Sequence, residues 1–369
     1  MRLEAVELVR LRLPLKRPFR TSYGTDTVRD ALLVHVISPD AEGWGECVAE
    51  PSPSYSSEFV DASELVIQRF MVPLLFGAES LTGAAVGPTL ARVKGYRMAK
   101  AAVEAAVLDM QTRAAKLSLG CYLGGVRSDV LVGVSVGIQD SLGELLDLVE
   151  SYVSVGYQRI KLKVEPGWDL DVVRAVRDRF GSELLLQVDA NTAYCRSDIR
   201  HLTCLDEYEL LLIEQPFPAE DLEAHAALAS RSTTPVCLDE SIESAADAVR
   251  ALKAGACSVV NIKPGRVGGL LEALRIHDVC AAWGVPVWCG GMLETGVGRA
   301  GNLALASLPN FLLPNDISAT DRYYEEDITK AFELVGSSIA VPQRPGIGVE
   351  VNEESLQKLH ATRVVVRRG

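Results

Sequence analysis

The sequence predicts an α/β protein: a TIM-like barrel of eight parallel strands, with an α+β capping domain formed by the N-terminal region and the C-terminal tail. Three observations predict it. From Val130 onward, short apolar runs alternate with longer amphipathic segments. Lys163, Asp189, Glu214, Asp239 and Lys263 each end, or nearly end, one of those runs at intervals of about 25 residues, the length of one strand plus one helix. Before Val130 the texture differs, with alternating strand-like runs followed by one long helical segment.

Residues 2–48 read as an antiparallel meander. Its strand-like runs are Glu4–Leu13, Ala31–Ile37 and Gly43–Val48, parted by turn-rich pieces such as Ser38-Pro39-Asp40. Pro51–Glu58 reads as a loop whose Ser/Glu end suits a helix start. Met98–Lys116, rich in Ala, Leu, Met and Lys, predicts a long helix. The barrel strands are expected at Val130–Val136, Arg159–Val164, Leu184–Val188, Leu210–Ile213, Pro235–Leu238, Ser258–Ile262, Val285–Cys289 and Phe311–Leu313. Near-continuous apolar strands separated by helices mean a parallel sheet covered on both faces. From Tyr324 the pattern breaks, with Pro342, Pro345 and a final strand-like run Arg363–Arg368. The expected organisation is a capping domain over 1–125, a barrel over 126–323, and a segment 324–369 returning to the cap.

Composition narrows the partners. A net charge of −12 argues against a nucleic-acid partner, which would want a basic face. No apolar stretch approaches the roughly 20 residues that span a bilayer, and the start lacks the apolar core of a signal peptide. None of the eight cysteines forms a C-x-x-C pair, so reduced, mostly buried thiols are expected. These points predict a cytoplasmic protein with no nucleic-acid or membrane partner. A small carboxylate substrate and a homo-oligomeric state are expected.

Numbered from Val130, Lys163 ends strand two, Asp189 strand three, Glu214 strand four, Asp239 strand five and Lys263 strand six. Strands two and six of eight lie opposite one another, with the three carboxylates on the arc between. Oxygen-only ligands suit Mg²⁺ or Mn²⁺. A carboxylate substrate bound there would have its charge partly neutralised, so that a lysine could remove its α-proton through an enediolate. Side chains two apart share a face. That rule puts Lys161 beside Lys163, Asn191 above Asp189 and Ser241 above Asp239, and turns Glu240 away from the barrel axis. Arg266, three residues after Lys263, is either an electrostatic neighbour of that lysine or a solvated loop residue. The five histidines fall away from the strand ends and read as surface or packing residues. Gly268-Gly269 and Gly290-Gly291 read as tight turns, with a phosphate cradle as the alternative.

The run Ile160-Lys161-Leu162-Lys163, with Val188-Asp189-Ala190-Asn191, Ile213-Glu214-Gln215-Pro216, Leu238-Asp239-Glu240-Ser241 and Asn261-Ile262-Lys263-Pro264, resembles the enolase superfamily and its muconate-lactonising subgroup. Gly43-Trp44-Gly45-Glu46-Cys47, the stretch Trp288–Gly296 and Leu308-Pro309-Asn310-Phe311 are similar to o-succinylbenzoate synthases that also act as N-acylamino acid racemases. The resemblance spans essentially the whole chain. It implies a (β/α)7β-type barrel, one Mg²⁺ or Mn²⁺ on Asp189, Glu214 and Asp239, and acid/base catalysis by Lys163 and Lys263. It implies racemisation, or dehydration in menaquinone biosynthesis. It also implies loops near Phe19–Asp26 and Tyr55 that close over the substrate, with Phe19, Tyr55, Ser135, Gly291 and Met292 as substrate contacts. The alternatives are a cycloisomerase or dipeptide epimerase of the same subgroup, a Schiff-base aldolase, or a barrel that only binds an acidic metabolite.

Overall fold

Strands β1 (Ala5–Thr21) and β2 (Gly24–Ile37) form a long antiparallel hairpin that sets the shape of the cap. The computed structural model describes the whole chain, Met1–Gly369. The first strand therefore runs well past Leu13, and Phe19–Asp26 is a paired hairpin tip rather than a loop. A register shift between Pro14 and Phe19 lets pairing resume at Phe19↔Asp26. Pro14 and Pro18 lack the N–H that a regular ladder needs, so a bulge there is the physical compromise.

Strand β3 (Glu42–Cys47) adds to β2, and the helix Arg97–Ala114 lies across the sheet. The approach is close because β3 carries Gly43 and Gly45; a Cβ at either would fall within about 2.2 Å of that helix's backbone. Glu58 does not start its own helix. Its carboxylate accepts from the amides of Arg97, Met98 and Ala99, capping the long helix, while a separate helix begins at Val60.

The expected first barrel strand Val130–Val136 is broken. Strand β4 (Asp129–Leu131) leaves the barrel to pair antiparallel with a late strand, and β5 (Val134–Val136) enters it. Gly133 marks the break, because the Arg159 guanidinium fills the space a side chain there would need. The remaining strands of this curled sheet are β6 (Arg159–Lys163), β7 (Leu185–Asp189), β8 (Ile213–Glu214), β9 (Val236–Leu238), β10 (Val259–Ile262) and β11 (Val287–Cys289). With β5 they form one parallel seven-stranded sheet in sequence order. The expected eighth strand at Phe311–Leu313 is reduced to single bridges. Phe311 bridges Val287 on one edge of the sheet, and Asn315 bridges Val132 beside the other. Strand β12 (Ser338–Ala340) is the partner of β4, and β13 (Thr362–Arg367) pairs antiparallel with β1 in the cap sheet.

The apolar core forms one large body around the seven-stranded parallel sheet, reaching one face of the N-terminal sheet, and a smaller one between that sheet and its helices. Met292, from the loop after β11, belongs to the cap's core, so the two bodies interlock above the strand ends.

Candidate active site

All five sequence-predicted residues gather at the carboxyl ends of the barrel strands. Lys163 and Asp189 pair in register, as do Asp189 and Glu214. Asp239 and Lys263 follow directly on the last residues of β9 and β10. The three carboxylate residues are fully buried, while Lys163 and Lys263 are 6% and 4% exposed. A cavity opens above them, and Lys161, Lys163 and Lys263 line it.

The charges are tightly paired. Lys163 Nζ donates to Asp189 Oδ2 and Asn191 Oδ1, both at 2.6 Å. Lys161 Nζ lies 3.2 Å from Asp189 Oδ2, 3.2 Å from Glu214 Oε2 and 2.8 Å from Asp316 Oδ2. Lys263 Nζ donates to Asp239 Oδ2 at 2.7 Å and to the Tyr55 hydroxyl at 3.2 Å, and Arg266 Nη1 pairs with Asp239 Oδ1. Burial and the charges of Lys161 and Lys263 together hold Lys163 below the ordinary lysine range, against the pull of Asp189. Burial also disfavours the charged form of Lys161, but Asp316, Glu214 and Asp189 outweigh it and raise its pKa. Lys263 is likewise raised, by Tyr55 and Glu240 first. Burial pushes the Glu214 carboxyl up, with Asp189 adding to it.

The carboxylates of Asp189, Glu214 and Asp239 are not drawn together on one common point. Asp189 faces Lys163 and Lys161, Glu214 shares Lys161, and Asp239 faces Lys263 and Arg266, since a carboxylate buried in a low-dielectric site must be paired. The donor chemistry nonetheless fits a hard divalent ion. Three buried carboxylates, oxygen only, stand on neighbouring strands about 4.8 Å apart.

The supporting residues divide. Asn191 faces the site as expected, accepting from Lys163 and donating from Nδ2 to Glu240 Oε1 at 2.9 Å. Glu240 therefore turns into the site mouth, not away from it. Ser241 turns out of it, its hydroxyl accepting from Gln215 Nε2 at 2.8 Å. Strict alternation fails at both because β9 ends at Leu238 and the chain is already turning. Arg266 is not solvated. It is 4% exposed and donates to the carbonyls of Ile242 and Asn261 besides pairing with Asp239.

Of the substrate-contact candidates, Phe19, Ser135, Gly291 and Met292 line the cavity. Tyr55 meets Lys263 instead, its ring centroid 4.9 Å from Nζ. The hairpin tip reaches over the site, with the Ser22 hydroxyl against the carbonyls of Ala190 and Asn191. In the glycine pairs, the amides of Gly268, Gly269 and Gly290 already donate to the carbonyls of Gly265, Pro264 and Ile262, as in tight turns. The histidines keep to packing and surface roles, as with His35 stacked on Trp44 and His277 on Phe311.

Sequence reasoning missed Asp316 and Gln215. Asp316 bridges Arg159 and Lys161 beneath the cavity. Gln215 Oε1 accepts from the amides of Asp239 and Ser241. The spacing of about 25 residues pointed to Glu214 and stopped short of its neighbour. Asp316 follows a strand too short to show any period.

Comparison with known proteins shows the family. Residues 5–124 match the mandelate racemase / muconate lactonizing enzyme N-terminal domain, and residues 144–355 match the enolase C-terminal domain-like family. An N-succinylamino acid racemase of Amycolatopsis sp. is 57% identical, over 99% of each chain. An o-succinylbenzoate synthase of Geobacillus kaustophilus is 47% identical over 96% of this chain and 95% of its own. The crystal structure of an enolase-superfamily member from Listeria innocua superposes with a TM-score of 0.95 at 40% identity, covering 100% of both chains. Domain matches across both halves and relatives of this similarity place the chain in the mandelate racemase / muconate lactonizing enzyme family of the enolase superfamily.

Proposed function

We propose that this pocket removes and returns the α-proton of an N-acylamino acid, making the chain an N-acylamino acid racemase, with Lys163 and Lys263 as the two acid/base groups. One observation carries the reading: both ammonium groups enter the same cavity from β6 and β10, four strands apart in the sheet. If Phe311–Asp316 acts as the closing strand of a (β/α)7β-type barrel, those strands are diametrically opposed. They then address the two faces of one carbon, as inversion requires. The cap, residues 1–125 with the tail 324–369, covers the mouth of a barrel over 126–323.

Asp189, Glu214 and Asp239 would hold one Mg²⁺ or Mn²⁺, which when bound neutralises the substrate carboxylate and makes its α-proton more acidic. Lys161, set among three carboxylates, stays charged and holds them in place. Phe19, Met292 and Gly291 shape the space for the acyl group and side chain, and Ser135 offers a buried hydroxyl with no partner of its own.

A second reading is favoured by the synthase relatives that match nearly the full chain: dehydration yielding o-succinylbenzoate. There Lys163 removes the α-proton and, now protonated, gives it to the hydroxyl that leaves the neighbouring carbon as water, while Lys263 stays charged. The deciding assay supplies Mg²⁺ or Mn²⁺ and offers an N-succinylamino acid and the cyclohexadiene precursor of o-succinylbenzoate, each in D₂O. Racemisation should be accompanied by α-deuterium incorporation. Lys163→Ala and Lys263→Ala should each lower racemisation by a factor on the order of 10²–10⁴. Undiminished racemisation in either variant would refute the two-base assignment, and undiminished turnover in EDTA would remove the metal from the site.

A further inference from the structure

Three of the residues that wall the cavity come from three separate segments: Phe19 from the cap hairpin, Ser135 from β5, and Tyr323 from the turn after the barrel. One guanidinium touches all three. Arg322 lies 5.9 Å from the Phe19 ring centroid and 4.9 Å from that of Tyr323, and Nη2 donates to the Ser135 carbonyl at 2.8 Å. A further ring, Tyr152 on the helix Leu142–Ser154, lies 5.0 Å away. Buried Nε has no hydrogen-bond partner. Rings and a carbonyl are thus the groups that hold this charge, an arrangement that suits a planar, weakly hydrated guanidinium and not an ammonium.

The surroundings make Arg322 a fastening point. The hairpin rests on the barrel beside it, where Lys16 N donates to the Tyr323 carbonyl and Ile138 N to the Arg20 carbonyl. Gly137 permits this approach, since a Cβ there would fall 2.7 Å from the Arg20 oxygen. This wall stands at β5 and the turn after the barrel, across the mouth from Glu214 on β8. On the N-acylamino acid reading it is a wall left to the acyl group, because the substrate carboxylate would face Asp189, Glu214 and Asp239.

We infer that Arg322 is a positioning residue for substrate specificity: it pins the Phe19 hairpin tip to Ser135 and Tyr323 and so sets the wall against which the remote acyl group binds. The inference rests on the N-acylamino acid reading, but its structural half can be measured without turnover. Arg322→Met should raise KM for an N-succinylamino acid by about tenfold, leave kcat within about threefold, and affect the N-acetyl analogue less. In hydrogen exchange by mass spectrometry, amides of residues 14–28 should exchange about tenfold faster in the variant, with the helix Gly296–Ala306 unchanged. Unaltered KM together with unaltered hairpin exchange would overturn the inference. So would equal losses for both acyl groups with faster exchange throughout the chain, which would mean a merely structural role. If the parent protein turns over neither substrate, the functional reading fails on its own, and hairpin exchange still decides whether Arg322 is the pin.

Discussion

Gln215 shows how much of the site depends on one side chain that performs no chemistry. Fully buried, it accepts from the amides of Asp239 and Ser241 through Oε1 and donates through Nε2 to the Phe217 carbonyl and the Ser241 hydroxyl. It thereby holds the end of β9 against the end of β8, the two strands that carry Glu214 and Asp239. Gln215→Leu would strand two buried amides, each worth about 1–3 kcal/mol when left unpaired. The expected outcome is a loss of about 3 kcal/mol in denaturant unfolding, with a matching fall in divalent-ion affinity; a loss below about 1 kcal/mol would contradict the role. The strand-end charges were legible in the sequence because a parallel barrel repeats strand and helix at a nearly constant period. Gln215, Glu240 and Asp316 were not. Their roles come from turns beyond the strand ends, where period-two alternation no longer says which way a side chain points.

At the scale of elements, the sequence was most informative where periodicity is long and least where geometry is local. The helix expected over Met98–Lys116 is found at Arg97–Ala114, and the alternation of strands and helices from β6 to β11 is as the apolar runs imply. The split of Val130–Val136 and the extension of β1 past Leu13 depend instead on a guanidinium filling a glycine's space and on a bulge near two prolines. Neither is a property of the local pattern. The Gly43-Trp44-Gly45-Glu46 run acquires a physical meaning here. A Cβ on Gly45 would lie 2.1 Å from the Ala102 carbonyl oxygen and 2.7 Å from the Ala106 amide, both backbone atoms of the packed helix. Gly45→Ala must push that helix off the sheet and pull Asp109 from the Trp44 and Ile347 amides it caps at 2.9 and 2.7 Å. The expected cost is at or above the upper end of the 1–3 kcal/mol usual for overpacking, so about 3 kcal/mol or more in denaturant unfolding. A variant as stable as the parent would show that the close approach is not needed.

Across the whole molecule, cap and barrel are joined by buried polar groups as well as by the apolar seam at Met292. Glu46 of the cap accepts from the Thr295 and Gly298 amides at the start of a barrel helix. Glu104, on the long cap helix, accepts from the Leu271 amide of another at 3.0 Å. Glu104 makes this joint sensitive to pH. Burial pushes its carboxyl from 4.5 up to about 7; the Leu271 and Leu270 amides and Arg275 pull the other way, and Glu272 adds to the rise. A carboxyl raised in the folded state favours folding while protonated. Its contribution is therefore full below pH 4.5 and is lost as pH rises through about 7. A shift of this size corresponds to about 3 kcal/mol between the two limits. Glu104→Gln keeps an acceptor for the Leu271 amide and cannot ionise. In denaturant unfolding at pH 5 and pH 8, the variant should gain on the parent by up to about 3 kcal/mol at the higher pH. Any pH-independent cost of the amide cancels in that comparison. A difference between variant and parent that stays constant from pH 5 to pH 8 would mean that Glu104 ionises as freely in the seam as in water, and that the joint between cap and barrel is not held under charge.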